Sequence, residues 1–297
     1  MAKDSGIQWT THTFNPWWGC EKVSAACKNC YAESFAKRTG NQVWGGADTS
    51  RRFFAAKHWA EPLKWNKAAE KAGERHRVFC ASMADVFEDR RDLDVERYRL
   101  WNLIHATPAL DWLLLSKRWG FADIASMVPA SWASGWPSNV WAGATVEDQE
   151  QAEKRIPALL RVPAKVRFLS MEPLLGPVDL ARVPWGGIAT DVLRGWDRPT
   201  HGIHWIILGG ESGGKPRPVH LEWIRSLVRH ARAAGVAPFV KQFGALSTWN
   251  PVDVREASPA RKRLTIAGDV EVSLSDGHGG DPSEWPADLR VREFPRT

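Results

Sequence analysis

Short apolar runs recur along the chain with helical stretches between them. Six of the runs are nearly continuous rather than alternating, which is typical of strands buried on both faces. The predicted strands are RVFCASM (77–83), DWLLLSK (111–117), NVWAGATV (139–146), VRFLSME (166–172), HWIILGGE (204–211) and PFVKQFG (238–244), with a weaker first strand within 6–13. Helices are predicted over 30–39, 93–107, 148–160 and 221–234.

This alternation of strands and helices predicts an α/β fold with parallel strands and crossover helices. About seven strands in one array indicate a full or partial TIM-type (βα) barrel, and an open doubly wound sheet is the alternative. Two intervals rich in Gly, Pro and Trp, 118–138 and 173–203, are predicted to be long surface loops with some helix. We expect a barrel domain over residues 1–245 and a C-terminal extension, a hairpin or a mobile tail, over 246–297.

Polar residues follow each predicted strand. In a parallel barrel the chemistry gathers at the carboxyl ends of the strands, so these residues are candidates for a polar ring. The alternative is that strand ends are simply where a chain becomes polar. The residues at the strand ends, in chain order, are Ser82, Met83, Asp85, Ser116, Lys117, Arg118, Thr145, Glu147, Ser170, Glu172, Gly209, Gly210, Glu211, Ser212, Lys241 and Gln242.

Three of the four cysteines lie within eleven positions, as Cys20, Cys27 and Cys30 in the spacing C-x6-C-x2-C. The N-terminal residues resemble no signal peptide and no apolar run reaches 18 residues, so we expect a cytoplasmic protein without a membrane span. In that compartment clustered cysteines favour metal or redox chemistry over disulfides. Four cysteines in 297 residues are also too few for a disulfide scaffold.

Zinc and an iron–sulfur cluster are the two groups that such thiols hold. A structural zinc site usually takes four ligands from two short knuckles. This loop has one C-x2-C knuckle and the lone Cys20, with His12 or Cys80 as candidate fourth ligands. Three thiolates from one loop suit a [4Fe–4S] cluster with one iron left open for a small molecule. The pattern therefore favours a cluster, in a cysteine loop directly after the first strand.

The stretch TFNPWWGC…VSAACKNCYAE resembles the phage Gp37/Gp68 family, a group with a radical-SAM-like three-cysteine motif, and more broadly the radical S-adenosylmethionine (SAM) superfamily. SMADVFE, LLLSKR and LSMEPLLG extend the resemblance over about residues 5–245. It implies a [4Fe–4S] cluster held by Cys20, Cys27 and Cys30, and SAM as the second cofactor. SAM would be cleaved to methionine and a 5′-deoxyadenosyl radical, which abstracts hydrogen from a substrate.

The same resemblance implies roles for further residues. Tyr31 would lie beside the cluster or the adenine, and the GGES stretch from Gly209 to Ser212 would contact SAM. SMAD, which includes Ser82 and Asp85, occupies the place where such enzymes often have a Gly-Gly-Glu stretch.

Other candidates rest on residue type. Cys80 is either a packed core thiol, a hydrogen donor to a substrate radical or a fourth cluster ligand. The carboxylates of Asp85, Glu147, Glu172 and Glu211 are candidates for holding SAM or substrate, and Lys117 and Lys241 for meeting a carboxylate or phosphate. Of these, Cys80, Lys117 and Glu172 are the candidate catalytic residues, and Thr145 joins the cofactor-binding set.

The charge and the aromatic residues bear on the substrate. The net charge is +6 and the pI is about 9.2, which favours a polyanionic partner. Basic and aromatic residues are interleaved in RRFFAAKHWAEPLKWNK (51–67), which suits nucleic acid, with DNA favoured. A solvated helical region with a buried aromatic stripe is the alternative. We expect an electron donor protein as a partner.

Three functions follow from these observations. The first is radical SAM chemistry on a nucleic acid, as DNA base modification or repair. The second is the same chemistry on a small metabolite. The third is a non-catalytic protein whose zinc or cluster is structural.

Overall fold

Thirteen strands and eight α-helices make up the described part of the chain. The computed structural model describes residues 5–195, 202–256, 261–264 and 269–296. The strands are β1 (His12–Thr13), β2 (His76–Cys80), β3 (Leu110–Ser116), β4 (Val140–Thr145), β5 (Val166–Met171), β6 (Val183–Trp185), β7 (Ile188–Thr190), β8 (Trp205–Gly209), β9 (Val219–His220), β10 (Ala237–Gln242), β11 (Ser247–Trp249), β12 (Arg261–Leu264) and β13 (Val270–Ser273). The helices are α1 (Tyr31–Arg38), α2 (Ala56–Trp59), α3 (Glu61–Ala72), α4 (Asp94–His105), α5 (Ile124–Met127), α6 (Gln149–Leu160), α7 (Leu221–Ala233) and α8 (Pro251–Glu256).

Seven strands form the main sheet in the order β1-β2-β3-β4-β5-β8-β10. The pairs β1–β2, β2–β3, β3–β4, β5–β8 and β8–β10 are parallel. A doubly wound sheet would reverse its direction within the strand order. Here the order follows the chain with helices between strands, which is the connectivity of a partial TIM-type barrel. The predicted fold class is confirmed, and all seven predicted strands correspond to strands of this sheet.

The chain divides into two compact units. The first comprises Met1–Ala144 and Ala158–Arg167, and the second comprises Thr145–Pro157 and Phe168–Thr297. The domain boundary at residue 245 stays a prediction.

The core of the first unit is built from β2, β3 and the helices beside them. Val78, Trp112 and Leu113 are fully buried, as expected for apolar strands covered on both faces. Helix α3 ends at Gly73, whose φ of +67° is the left-handed conformation that favours glycine at a helix C-terminus.

The interval 118–138 is more than the predicted surface loop. It contains α5 and a short 3-10 helix, Ala130–Ser134. Trp119, Trp132 and Trp136 of this interval are buried. Trp132 packs against Trp136 and Trp101 with ring centroids 5.2 and 5.1 Å apart. The prediction of a surface loop is therefore wrong for these side chains, because aromatic burial outweighs the loop-like composition.

The second unit packs α7 against β10. The buried face of α7 carries Leu221, Ile224, Leu227 and Val228, the spacing of an amphipathic helix. The polar C-terminal stretch contributes β11, β12 and β13. Together with β9 they form a four-stranded sheet in the order β12-β13-β11-β9, in which β12 and β13 are antiparallel. No helix in the described ranges has the length and apolar character needed to cross a membrane.

Candidate functional site

The cysteine loop begins where β1 leaves the sheet and is fixed at its first cysteine. Gly19 donates its backbone N–H to the carbonyl of Met83, at 3.0 Å. Gly19 has φ +118°, and a Cβ at this position would lie 2.3 Å from the carbonyl oxygen of Val43. Only glycine fits such a turn without strain. The carbonyl of Cys20 accepts from Gly45 N at 3.1 Å, so Cys20 is held between two backbone segments.

The rest of the loop leads directly into α1. Residues Ala25–Cys27 form a 3-10 turn, and Cys30 is the N-cap residue of α1. The four cysteines are free; Cys20, Cys27 and Cys30 are partly exposed, whereas Cys80 is buried. The loop between β1 and α1 thus carries three free, partly exposed cysteine residues, and their role as metal ligands stays a prediction.

Cys20 contacts the residues that follow β2 and β3. Its Sγ lies 3.8 Å from Nη2 of Arg118. Burial raises the pKa of the Cys20 thiol to about 12, and the carboxylates of Asp85 and Glu88 act in the same direction, whereas Arg118 lowers it. This thiol therefore lies in a polar, charged environment at the carboxyl end of the first unit's strands.

The donor types of the loop fit an iron–sulfur cluster, for which cysteine thiolates are the usual ligands. A metal site also needs a suitable arrangement of the described side chains. Among residues 5–195, 202–256, 261–264 and 269–296, no three side chains of the His, Cys, Asp and Glu types form a group that could hold a metal ion.

Asp85 joins the exits of β2 and β3. Its carboxylate accepts from the hydroxyl of Ser116 at 2.8 and 3.0 Å and from the backbone N–H of Lys117 at 3.1 Å. It also accepts from Phe87 N at 3.1 Å, and Arg118 Nε lies 3.8 Å away. The structure thus shows Asp85 holding the β3 exit in place; the predicted contact with SAM stays a prediction.

Ser82 and Tyr31 meet at the exit of β2. The Tyr31 hydroxyl donates to the carbonyl of Ser82 at 3.0 Å, which ties the start of α1 to this strand. Asn15 Nδ2 donates to Ser82 Oγ at 3.1 Å, and Asn15 Oδ1 accepts from Met83 N at 2.7 Å. These bonds explain why β2 ends at Cys80 rather than at residue 83, since the following backbone is held by Asn15 instead of by β3.

A buried ion pair stabilises the backbone segment next to the cysteine loop. Arg51 and Glu88 are bonded at 2.5 and 3.1 Å, and the exposed fractions of their side chains are 0% and 2%. The remaining Arg51 protons go to the carbonyls of Val43, Thr49 and Gly45 at 3.1, 2.9 and 2.8 Å. Arg51 therefore stabilises the segment that flanks Cys20.

Sequence reasoning missed the supporting residues Asn15, Arg51 and Glu88 as parts of this site, whereas Arg118 was among the polar candidates at the end of its strand. Arg118 ends the same SKR stretch as Lys117, and Glu88 ends SMADVFE. Their charges gave no signal of burial, because charged side chains are mostly exposed unless they are paired.

Lys117 and Cys80, two of the candidate catalytic residues, differ in burial. Lys117 is half-buried and directly precedes Arg118. Cys80 ends β2 and is fully buried, and burial raises the pKa of its thiol. This agrees with the reading of Cys80 as a packed core residue, while the catalytic roles of Cys80 and Lys117 stay predictions.

The second unit has its own polar cluster at the end of β4. Arg155 donates from Nη1 to Glu147 Oε2 at 2.7 Å and to the carbonyl of Thr145 at 2.8 Å. The side chains of Arg155 and Glu147 are 1% and 0% exposed. The Thr145 hydroxyl is buried, and no hydrogen-bond partner for it occurs among the described residues. Glu147 is thus a paired carboxylate, and Thr145 offers an unused polar group.

The glycines that end β8 make room for other parts of the second unit. A Cβ on Gly209 would lie 2.7 Å from Oε1 of Glu172, and one on Gly210 would lie 2.2 Å from the carbonyl oxygen of Phe243. Lys241 Nζ lies 3.0 Å from the same Glu172 oxygen. Close packing therefore accounts for Gly209 and Gly210, and Glu172 and Lys241 form a partly buried ion pair.

Glu211 and Ser212 continue the GGES stretch. Glu211 is buried and accepts three bonds from Arg217, from N at 2.9 Å, Nε at 3.0 Å and Nη2 at 2.5 Å. Such a bidentate pair fixes the loop that follows β8. Ser212 is partly buried. Ser170 lies within β5 and is buried, and its carbonyl accepts from Val146 N at 3.0 Å.

The candidate residues thus fall into groups that the structure assigns to separate units. The first unit brings together Cys20, Tyr31, Ser82, Asp85 and Lys117. The second contains the Thr145–Glu147 cluster, the Glu172–Lys241 pair and the GGES stretch.

Comparison with known proteins gives one family match. The family described as "Protein of unknown function (DUF5131)" matches residues 4–271. No curated protein matches the chain. The resemblance to the phage Gp37/Gp68 family is not tested by these findings and stays a prediction.

Solved structures of spore photoproduct lyase are similar at low identity. A double mutant with bound AdoMet and dinucleoside spore photoproduct gives a TM-score of 0.39 at 10% identity, over 92% of this chain and 71% of that one. A single mutant gives a TM-score of 0.42 at 10% identity, over 93% and 72%. A structure described as spore photoproduct lyase complexed with dinucleoside spore photoproduct gives a TM-score of 0.39 at 10% identity, over 88% of this chain and 67% of that one. Similarity at this level carries no inference about activity.

Proposed function

This chain belongs to the family described as "Protein of unknown function (DUF5131)", and we propose that it is an iron–sulfur enzyme of the radical SAM type acting on DNA, in base modification or repair. One observation carries the proposal. Three free, partly exposed thiols lie on one loop between β1 and α1 of a parallel α/β fold. Chemistry in such folds gathers at the carboxyl ends of the strands, where this loop lies.

Cys20, Cys27 and Cys30 are the proposed ligands of a [4Fe–4S] cluster. When bound with SAM, such a cluster supplies the electron that cleaves SAM and starts hydrogen abstraction. Arg118 donates a hydrogen bond toward the Cys20 sulfur, and hydrogen bonds to the sulfurs tune a cluster's reduction potential. Arg118 is therefore a positioning and tuning residue in this proposal.

The chain's own polar groups would bind and orient SAM and the substrate. Tyr31 is 56% exposed and begins α1 directly after Cys30, and we assign its ring to the adenine of SAM. Thr145 supplies a buried hydroxyl without a partner among the described residues. Lys241 and Glu172 are paired with each other but keep 21% and 12% of their side chains exposed, which suits contacts to a carboxylate and an amine.

The proposal is tested by SAM cleavage under strong reductant. Anaerobic protein should produce methionine and 5′-deoxyadenosine, and the Cys27→Ala variant should produce neither. The Lys71→Gln variant, changed at an exposed position at the end of α3, is the matched control and should cleave SAM as the wild type does. Absence of both products from iron-loaded wild-type protein would overturn the proposed activity.

Catalysis on a small metabolite is the competing function. It differs from the proposal in one measurable property, because only a nucleic-acid enzyme should bind an oligonucleotide with salt-dependent affinity.

A further inference from the structure

An aromatic and cationic surface lies directly beside the cysteine loop, in the first unit. It consists of Trp18, Phe35, Arg38, Arg52 and Phe54, and we call it the aromatic–arginine surface. Trp18 is two residues before Cys20, and Phe35 and Arg38 lie on α1, which Cys30 caps. The proposed cluster ligands and this surface therefore belong to the same short stretch of chain.

The rings and guanidinium groups of this surface are arranged in a connected row. Trp18 contacts Phe35 and Phe54 edge-on, with both ring centroids 5.9 Å away. The Arg52 guanidinium lies 4.9 Å from the Trp18 centroid and 5.5 Å from the Phe54 centroid. Arg38 lies over the Phe35 ring at 5.6 Å. Each arginine is thus held against an aromatic ring while staying exposed.

The backbone holds this row in place. Trp18 and Arg52 form a two-way antiparallel bridge, with both N–H···O distances 2.9 Å. Phe54 stacks on His58 with ring centroids 4.1 Å apart and planes 11° apart. Phe35 remains 39% exposed. A preorganised row of this kind loses little side-chain entropy when a ligand stacks on it.

The charge around the surface is positive. Segment 18–58 carries seven Lys and Arg against three Asp and Glu. One of the seven, Arg51, is buried and paired with Glu88, which leaves six cations against three anions, a net charge of +3. The acidic side chain of α1, Glu33, is paired with Lys22 at 2.6 Å and with Lys37 at 2.7 Å. Its negative charge is therefore offset, and the surface complements a phosphate backbone.

We propose that the aromatic–arginine surface binds single-stranded DNA, with bases stacking on its rings and phosphates meeting Arg38 and Arg52. Aromatic rings combined with arginines are the usual platform for unpaired bases, whose faces are exposed. Bases in a duplex are stacked on one another and offer no such faces. The inference rests on the proposed function for its substrate class, but it needs neither the cluster nor SAM.

The neutral polar groups beside this surface form hydrogen bonds within the protein. Asn41 accepts from Arg52 at 2.9 Å and donates to the carbonyl of Thr39 at 3.0 Å. The Thr39 hydroxyl donates to the carbonyls of Phe35 and Ala36 at 3.1 and 3.0 Å. These bonds hold Arg52 and the end of α1 in place, which adds to the preorganisation of the surface.

The test is fluorescence anisotropy with a labelled 20-nucleotide single-stranded DNA of mixed sequence, its duplex and the RNA of the same sequence. The wild type should bind the single-stranded DNA most tightly. Phe35→Ala should weaken that binding by about fivefold or more, the effect of losing one stacked base. Arg52→Gln should also weaken it and reduce the slope of log K against log salt by about 0.7, the value for one phosphate contact on a single strand.

Matched controls separate this surface from general effects. Phe121→Ala removes an aromatic side chain that is 60% exposed elsewhere in the first unit, and Lys71→Gln removes an exposed charge on α3. Both should bind DNA as the wild type does. Equal binding by the wild type, Phe35→Ala and Arg52→Gln would overturn the proposal, and so would tighter binding of the duplex or the RNA.

The Cys27→Ala variant separates this inference from the proposed function. It should lose SAM cleavage and keep DNA binding. If the wild type cleaves SAM but does not bind DNA, the proposed enzymatic activity stands and the proposed DNA-binding role of the aromatic–arginine surface is overturned. If DNA binding depends on Phe35 and Arg52 but SAM is not cleaved, the DNA-binding role of the surface stands and the proposed enzymatic activity is overturned.

Discussion

Arg118 Nη2 lies 3.8 Å from the Sγ of Cys20, which joins the exit of β3 to the first residue of the three-cysteine motif. The same guanidinium lies 3.8 Å from the carboxylates of Asp85 and Glu88. Arg118 therefore adds positive charge beside two buried acids, of which Glu88 is also paired with Arg51. The position of Cys20 depends on these contacts as well as on the backbone of the loop itself.

Removing that charge should destabilise the first unit. We expect Arg118→Met to lower the free energy of unfolding by about 3 kcal/mol, because the buried carboxylate of Asp85 then keeps neutral hydrogen-bond donors but loses the cation beside it. Urea denaturation measures the change. Lys64→Met, which breaks the exposed pair with Glu61, should cost less than about 1 kcal/mol. An equal, small loss in both variants would show that the Arg118 contacts carry little energy.

Gly210 should be required for folding rather than for ligand contact. A Cβ at this position would lie 2.2 Å from the Phe243 carbonyl, so Gly210→Ala should lower the free energy of unfolding by about 1–3 kcal/mol, the range for overpacking. Gly214→Ala meets nothing within 4 Å and is the matched control within the same loop. Thermal unfolding of the two variants compares them. Equal stability would mean that β8 and β10 separate easily at this point.

Stability should fall as the pH drops through the ordinary range of histidine. Burial lowers the pKa of His58, and this outweighs the hydrogen bond between its Nε2 and the carbonyl of Asn15 at 2.7 Å. A base with a lowered folded pKa takes up its proton more readily in the unfolded state. Its contribution is therefore present above pH 6.5 and is lost as the pH falls below it.

Urea denaturation at pH 7.5 and 5.5 measures this effect. The wild type should lose more stability between the two values than His58→Gln does, since the variant has no imidazole to protonate. If His58→Gln leaves the pH dependence of the free energy of unfolding unchanged, groups other than His58 cause that dependence.

The sequence predicted the sheet more fully than it predicted the site. All seven strands were readable, because strands buried on both faces need continuous apolar runs such as the LDWLLLS of β3. The position of the cysteine loop after β1 was readable from the spacing of Cys20, Cys27 and Cys30. These features depend on local pattern alone.

What the sequence could not give depends on contacts between distant residues. The sequence does not show that Gly209 and Gly210 make room for Glu172 and the Phe243 backbone; their predicted contact with SAM stays a prediction. The sequence also does not show that the Asp85 carboxylate accepts from Ser116 and Lys117; the predicted contact of Asp85 with a cofactor stays a prediction. The burial of Arg51 and Glu88 could not be anticipated either, because a charged residue reveals its partner only once the fold is known.

The most direct test of the proposed function is the content of iron, sulfide and zinc in anaerobically purified protein. The account predicts about four irons and four sulfides per chain, the composition of a [4Fe–4S] cluster, and their loss in the Cys27→Ala variant. Cys80→Ala should keep the iron, which would exclude a fourth thiolate ligand at that position. One tightly bound zinc per chain and no iron would contradict the account and make the three-cysteine loop a structural metal site.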